Sequence, residues 1–372
     1  MSESADTRLV VGCMTGTSID ALDAALVRIR GHGLAMRCEF IRGVTHDLGP
    51  VRAGLRALAD QRAMTAGEIA RLSREFALLH AAAVRDLLGR GGAVRPALVA
   101  VHGQTVFHEP PSSWQMFNGA VLAHELGVPV VFDLRGADLA AGGQGAPITP
   151  LADWIMFRTA EPTAVVNLGG FCNATLLPPE PTRADAGAAV DRIEGFDVCA
   201  CNHLLDRIAR EALGCAFDAD GAAALSGNVD DAARRGLAEA LVTQSRAGRS
   251  LGTGDETWRW VDRWQGRLAG KDLAATACAA IAGAIASRLG PVGAVLLAGG
   301  GARNRALVGA LERAMPGSKT DTTAARGVPI EFREACAMGV LGAMCADRVP
   351  ITLPKVTGVR EPAPIAGVWA GA

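Results

Sequence analysis

The chain carries no excess of either charge: 37 Lys and Arg against 38 Asp and Glu leave a formal net charge of −1. No basic surface for a polyanion is implied and no block of like charge marks a tail, so nucleic acid is not an expected partner. Long apolar runs are also scarce. Hydrophobic stretches are cut by Gly, Arg or Asp before the roughly 18–20 residues that span a bilayer, so no membrane partner is expected. The opening MSESADTRLV lacks the basic region and apolar core of a leader, and a cytoplasmic location is the expectation. The nine cysteines are scattered, with no CxxC and no His at zinc spacing, and read as reduced, buried thiols. Cys199-Ala200-Cys201, the one close pair, reads as small residues lining a tight loop in preference to a metal or redox site. No GxxxxGK[ST] occurs, which argues against a P-loop NTPase.

What the chain does have is length and internal repetition. Its 372 residues, 49% of them hydrophobic, exceed one ordinary core and favour two domains. Twice a strand runs into a glycine-punctuated turn and returns. The first hairpin is Leu9–Ile29 with GTSID at its tip, and the second is Thr163–Leu177 with NLGG at its tip. Each turn can aim backbone N–H groups at one spot, which suits phosphate. One such turn in each half suggests a duplicated α/β fold gripping a nucleotide between its halves.

Between and beyond the hairpins, a third strand is expected over Leu34–Ile41 and helices over Val51–Ala59 and Ala66–Leu88. In the longer helix Ile69, Leu72, Phe76, Leu79 and Val84 fall at helical spacing. Ala97–Val101 reads as a buried strand entering HGQTVFHEPP, Val121–Leu126 as a helix and Val128–Phe132 as a strand. Ala140–Pro150, dense in Gly and Pro, reads as the crossover between domains. In the second half Gly195–Asn202 reads as a turn into a helix over His203–Leu213, and helices dominate Asp230–Leu289. Val292–Ala298 reads as a strand, Ala302–Ala314 as a helix, Thr320–Pro329 as polar loop and Ile330–Asp347 as a last helix. The tail is expected to pack back on the first half. Strands first and helices later is neither a strict βαβ alternation nor a barrel.

Several residues could carry chemistry. In the first turn Gly16 would permit an unusual backbone conformation, with hydroxyls on Thr15, Thr17 and Ser18. Asp20 and Asp23 could hold Mg2+ through water, or Asp20 could merely cap the turn. Gly299-Gly300-Gly301, between a buried strand and a helix, fits close approach of a nucleotide to backbone, although GxGxxG spacing is missing. Asp197 could act as a general base or serve only as a turn or N-cap aspartate. Glu334 reads first as a solvated helix carboxylate. His102 and His108, flanking Gln104 and Thr105, suit polar substrate contacts or loop packing better than metal ligation.

Taken in order, GCMTGTSIDALDAAL, HGQT, FDLRGADLAAGGQGAPITP, VVNLGGFCNATLL, GFDVCACNHLLD, FDADGAAALSG, LAGGGARNRAL, TDTTAARGVPIEFREACAMG and LPKVTG resemble the anhydro-N-acetylmuramic acid kinase family. The resemblance runs from about Leu9 to Ala370. It implies a duplicated ribonuclease H-like (actin-like ATPase) α/β fold with two domains and an interdomain cleft, divided as 1–145 plus 352–372 and 146–351. It implies ATP and Mg2+ as cofactors, a small-molecule sugar as substrate, and a cell-wall recycling reaction. In that reaction 1,6-anhydro-N-acetylmuramic acid is opened by water and phosphorylated on O6. By the same match Gly16, Thr17, Ser18, Ile19, Asp20, Ala21, Leu22 and Asp23 form the ATP loop and Asp197 is the catalytic base. On the residue reading above, Asp20 is expected at the metal, and Gly169, Gly170, Gly299, Gly300 and Gly301 are expected to complete the nucleotide site. His102, Gln104, Thr105, Arg135, Asp138, Gln144 and Glu334 are expected near the sugar. The chain departs from the family at three places: a typical Gly-Pro-Gly-Asn reads Cys199-Ala200-Cys201-Asn202, a typical Lys-Ser-Thr-Gly-Arg-Glu reads Leu251-Gly252-Thr253-Gly254-Asp255-Glu256, and, as a mild change, a common GTSLDG reads GTSIDA. Those departures keep two alternatives open, a kinase of another sugar and a binding protein without turnover. Oligomeric state, a homodimer among the options, is left open.

Overall fold

The computed structural model describes residues 6–89, 94–181, 186–246, 256–362 and 366–371. Among these the strands run, in chain order, β1 (Thr7–Thr15), β2 (Ala21–Arg30), β3 (Arg37–Asp47), β4 (Leu98–Val101), β5 (Gln104–Glu109), β6 (Ser112–Met116), β7 (Val130–Phe132), β8 (Thr163–Leu168), β9 (Phe171–Leu177), β10 (Glu194–Ala200), β11 (Ala294–Ala298), β12 (Lys319–Thr322) and β13 (Val368–Ala370). The chain divides into two compact units. One takes Met1–Arg158, Glu180–Glu194 and Phe332–Ala372, and the other takes Thr159–Pro179 and Gly195–Glu331.

Each unit holds one main sheet. In the first the order is β13-β7-β4-β1-β2-β3, and in the second it is β10-β9-β8-β11-β12. β1 pairs antiparallel with β2 and parallel with β4; β8 pairs antiparallel with β9 and parallel with β11. Counted from each unit's own first strand, both sheets read 3-2-1-4-5, with β13 added at the outer edge of the first. This is the duplicated ribonuclease H-like arrangement, and both glycine turns join the first and second strands of their sheets.

In the first unit, Val10, Val11 and Cys13 of β1 are all buried, as a central strand covered on both faces requires. One face packs on the helices Val51–Ala59 and Ala66–Leu88 through Leu55, Leu72, Phe76 and Val84. The longer helix opens with a capping box in which Thr65 and Glu68 satisfy each other's backbone N–H. The other face carries the helix Arg333–Ala346 at very short range. A Cβ on Gly12 would lie 1.9 Å from the Ala335 carbonyl oxygen, and one on Gly342 2.4 Å from the Ala100 Cβ. Glycine at these positions lets helix backbone rest on strand backbone.

That contact places residues 332–351 in the first unit, where the sequence reading put them in the second. Residues 146–158 join it as well. The buried Arg333 guanidinium donates to Asp153 and to Thr149 Oγ1, tying the helix Pro150–Phe157 to the helix Arg333–Ala346. Ala140–Pro150 is therefore no crossover between units. The tail does return to the first unit, with β13 pairing β7.

The second unit is built around the helix Gly270–Leu289, whose Leu273, Ala277, Ile281 and Ile285 are buried in its core. By length and composition this helix is apolar enough to cross a membrane, contrary to the expectation that no run would qualify. Here 61% of its apolar window is covered by the rest of the protein.

Other local differences have local causes. The third strand starts later and runs longer than expected because Gly33–Ala35 forms a 3-10 turn before it. HGQTVFHEPP opens into the hairpin β5–β6 rather than loop. Lys319–Thr322 is a strand despite its polarity, because it is the parallel partner of β11 at the sheet edge.

Candidate functional site

The first turn is tied down from behind. Ile19 N–H donates to the Gly16 carbonyl at 3.1 Å, and Arg52 and Arg56, one helical turn apart, donate to the carbonyls of Asp20 and Ser18. Those carbonyls are engaged on the helix side, while Thr17, Ser18 and Asp20 are exposed. The unusual backbone angle belongs to Ile19 (φ +54°), not to Gly16. A β-branched residue in the left-handed region is strained, and burial of its side chain in the core compensates. Gly16 instead supplies room: the nearest atom to a Cβ there is Ser18 Oγ at 3.6 Å. Leu22 is core, so it can meet a ligand only through backbone. Ala21 and Asp23 lie on β2, and Asp23 accepts from Thr45 Oγ1 at 2.6 Å.

Beside this turn the HGQT segment leaves β4. His102 is 2% exposed; its Nδ1 faces the Gly103 carbonyl at 2.8 Å, and its Nε2 accepts from Arg135 Nε at 3.0 Å. Burial and the Arg135 charge push its pKa down to about 3, so the ring is neutral. Gln104 reaches the Gly16 carbonyl at 3.4 Å, linking HGQT to the first turn. Gln104 Oε1, Thr105 Oγ1, His108 Nε2 and Thr15 Oγ1 are buried without a hydrogen-bond partner among the described residues. Such orphaned atoms call for an ordered water or a ligand. Arg135 is half-buried, and its pKa is lowered to about 10 by burial, with Glu334 and Asp133 opposing. It therefore stays charged at neutral pH. Arg135 and Glu334 thus come into one electrostatic neighbourhood.

Asp138 has another task. Its Oδ2 accepts from the Gly145 N–H at 2.7 Å and its Oδ1 from Thr357 Oγ1 at 2.8 Å, and it is 1% exposed. It clasps the GGQGAP loop to the LPKVTG segment. Gln144 is exposed at the surface of that loop, with its N–H on the Thr357 carbonyl.

In the second unit the two glycine turns meet each other. Asn202 Nδ2 donates to the Leu168 carbonyl at 3.0 Å. A Cβ on Gly301 would lie 2.8 Å from the Leu168 Cβ and 2.9 Å from Asn202 Oδ1, and one on Gly299 (φ +77°) 2.7 Å from Asn167 Oδ1. Those two glycines are required by turn-on-turn packing. Gly300, exposed and with nothing nearer than 3.9 Å, is the one with room for a ligand against its backbone. Gly169 and Gly170 carbonyls accept from the Asn202 and Cys201 N–H groups. A Cβ on Gly170 would overlap the His203 ring at 2.4 Å.

Asp197 lies on strand β10 and not in a turn, half-buried, close enough for its charge to raise the Cys172 thiol further after burial. The CACN departure is absorbed by the core. Cys199 and Cys201 are buried in the second unit's core. The Leu251–Asp255 stretch lies outside the described residues. Sequence reasoning passed over Arg52 and Arg56, although an i, i+4 arginine pair following the turn was the available signal. It also passed over Asn202, the one residue of CACN shared with the usual family turn.

Among the described residues no group of three or more His, Cys, Asp or Glu could hold a metal by itself. The exposed Asp20 fits a hydrated Mg2+, which takes one or two carboxylates and completes its shell with water and phosphate.

The description "Anhydro-N-acetylmuramic acid kinase" belongs to a family that matches residues 8–370. A protein of that name from Xanthomonas axonopodis pv. citri is 35% identical over 384 residues, covering 99% of both chains. One from Rhodospirillum rubrum is 36% identical over 376 residues, covering 100% of this chain and 97% of its own. Among solved structures, component A of the (R)-2-hydroxyglutaryl-CoA dehydratase of Acidaminococcus fermentans is 14% identical with a TM-score of 0.46, covering 91% of this chain and 99% of its own. On the near full-length match, the chain belongs to the anhydro-N-acetylmuramic acid kinase family, a family of ATP-dependent sugar kinases.

Proposed function

We propose that this chain opens 1,6-anhydro-N-acetylmuramic acid with water and phosphorylates O6 at the expense of ATP, yielding N-acetylmuramic acid 6-phosphate for peptidoglycan recycling. The observation that carries the reading is the family match over residues 8–370 with Asp197 retained. In the reaction the Asp197 carboxylate takes a proton from water as the water oxygen bonds to the anomeric carbon. The bond from that carbon to O6 breaks, O6 bonds to the γ-phosphorus, and ADP leaves. Phosphoryl transfer asks the protein mainly for positioning and charge stabilisation. The backbone beside Gly16 and Gly300 has the room for phosphate that Gly299 and Gly301 lack. Mg2+ held through Asp20 would neutralise phosphate charge.

The alternatives rested on CACN and LGTGDE. Packing of the CACN thiols in the core removes the first as a reason to expect another substrate. Incubation with ATP, Mg2+ and the anhydro-sugar, read by 31P NMR, tests the proposal; absence of the 6-phosphate refutes it. Asp197→Asn should lower kcat by roughly 10²–10⁴-fold with the fold intact.

A further inference from the structure

We infer that His102 is a positioning residue that holds the Arg135 guanidinium in one orientation, and that it is not itself a ligand of the sugar. The inference deepens the kinase reading and rests on it for its activity assays. A carbonyl oxygen can only accept, so the 2.8 Å contact to Gly103 fixes the proton on Nδ1. The Nε2 lone pair is then the acceptor for Arg135 Nε–H at 3.0 Å. Both ring nitrogens are spent, and at 2% exposure the ring has no free edge.

The ring is anchored from the backbone as well. His102 N–H donates to the Cys13 carbonyl of β1 at 3.1 Å. Gly103, at φ +78°, presses so close to β6 that a Cβ would meet the Gln115 and Met116 carbonyls at 3.2 Å. An imidazole held on three sides offers a fixed acceptor to a long and otherwise mobile side chain. Arg135, by contrast, makes no other hydrogen bond or ion pair among the described residues, so the outer edge of its fork stays open. That edge matches an oxyanion in the bidentate manner of guanidinium groups. The neighbours follow the same division of labour. His102 is fully satisfied, whereas Gln104 Oε1, Thr105 Oγ1 and His108 Nε2 keep unused capacity. The depressed pKa of His102 keeps its Nε2 an acceptor; a proton there would confront the guanidinium.

The test combines a double-mutant cycle with histidine NMR. His102→Leu should lower kcat/KM for the anhydro-sugar by about 10–100-fold with the ATP KM unchanged, and Arg135→Ala by at least as much. The double variant should be no worse than Arg135→Ala alone. His102→Gln, whose Oε1 can accept the Nε–H, should recover most of the loss. Multiplying losses in the double variant, or a folded Gln variant no better than Leu, would overturn the inference. Independently of turnover, 15N spectra should show His102 as the neutral Nδ1–H tautomer from pH 8 to about 4.5, with its Nε2 resonance moving in Arg135→Ala. The opposite tautomer, or an Nε2 signal blind to Arg135, refutes positioning. A wild-type protein that shows the tautomer and coupling yet makes no 6-phosphate would instead refute the kinase reading.

Discussion

Acidification from pH 7 to pH 5 should remove about 4 kcal/mol of stability from the first unit through two buried imidazoles. His80 lies in the helix Ala66–Leu88, edge-on to Phe76 and Phe117 with ring centroids at 4.4 and 4.8 Å, and its Nδ1 faces the Phe76 carbonyl at 2.8 Å. Burial drives its pKa down to about 4 against the opposing effect of that hydrogen bond, and His102 is driven to about 3. In the unfolded chain both titrate near about 6.5. Below that pH the unfolded state takes up protons that the native state refuses, so stability falls as pH falls, until the native values are reached. The slope is about 1.4 kcal/mol per pH unit for each ring, or about 2 kcal/mol each between pH 7 and pH 5. Asp347, held down to about 2 chiefly by hydrogen bonds from Arg8, Gly33 and His32 against the desolvation that raises it, loses its contribution only below about pH 4, outside this window. Urea unfolding at pH 7, 6 and 5, followed for wild type and His80→Leu, measures the effect. The variant should lose about half as much as wild type. Parallel stability profiles for the two proteins would show that His80 is not neutral in the native state, and the reasoning would fail.

Replacing Arg56 or Arg52 by Ala frees the Ser18 or Asp20 carbonyl and should raise the ATP KM by roughly 3–10-fold, with the sugar KM unchanged in initial-rate assays. Gly12→Ala forces a Cβ to 1.9 Å from the Ala335 carbonyl oxygen; chemical denaturation should show a loss of about 3 kcal/mol or more. Restoring glycine at Cys199 and Cys201 removes two thiols from the core. It should cost roughly 2–4 kcal/mol without raising kcat, a result calorimetry and kinetics can check together.

Much of the fold was legible because it depends on local signals. The two hairpins carry apolar strands on either side of Gly-containing tips, and the helices Val51–Ala59 and Ala66–Leu88 are marked by periodicity and by the Thr65–Glu68 cap. What was hidden is set by partners distant in sequence. Thr320 and Asp321 are strand only because β11 lies beside them, and residues 146–158 join the first unit because Asp153 meets Arg333 across 180 positions. The same holds in the site. Arg135 was legible as a cation in the right block, but its dependence on His102 spans 33 positions and leaves no pattern. Gly299 and Gly301 looked like phosphate binders because composition cannot distinguish a glycine that admits a ligand from one that admits a neighbouring turn.

The seating of the helix Arg333–Ala346 on Gly12 also sets an order of events during synthesis. Among the described residues, the five strands of the second unit, β8 to β12, have been translated by Thr322, and that unit takes no residue beyond Glu331. The first unit starts at the front of the chain yet lacks one covering layer until residues 332–346 emerge, and an edge strand until Val368–Ala370. Domains fold as units during translation, usually the N-terminal one first. Here chain order makes every segment of the second unit available before the helix that covers β1, so the covering of Gly12 waits on residues far downstream.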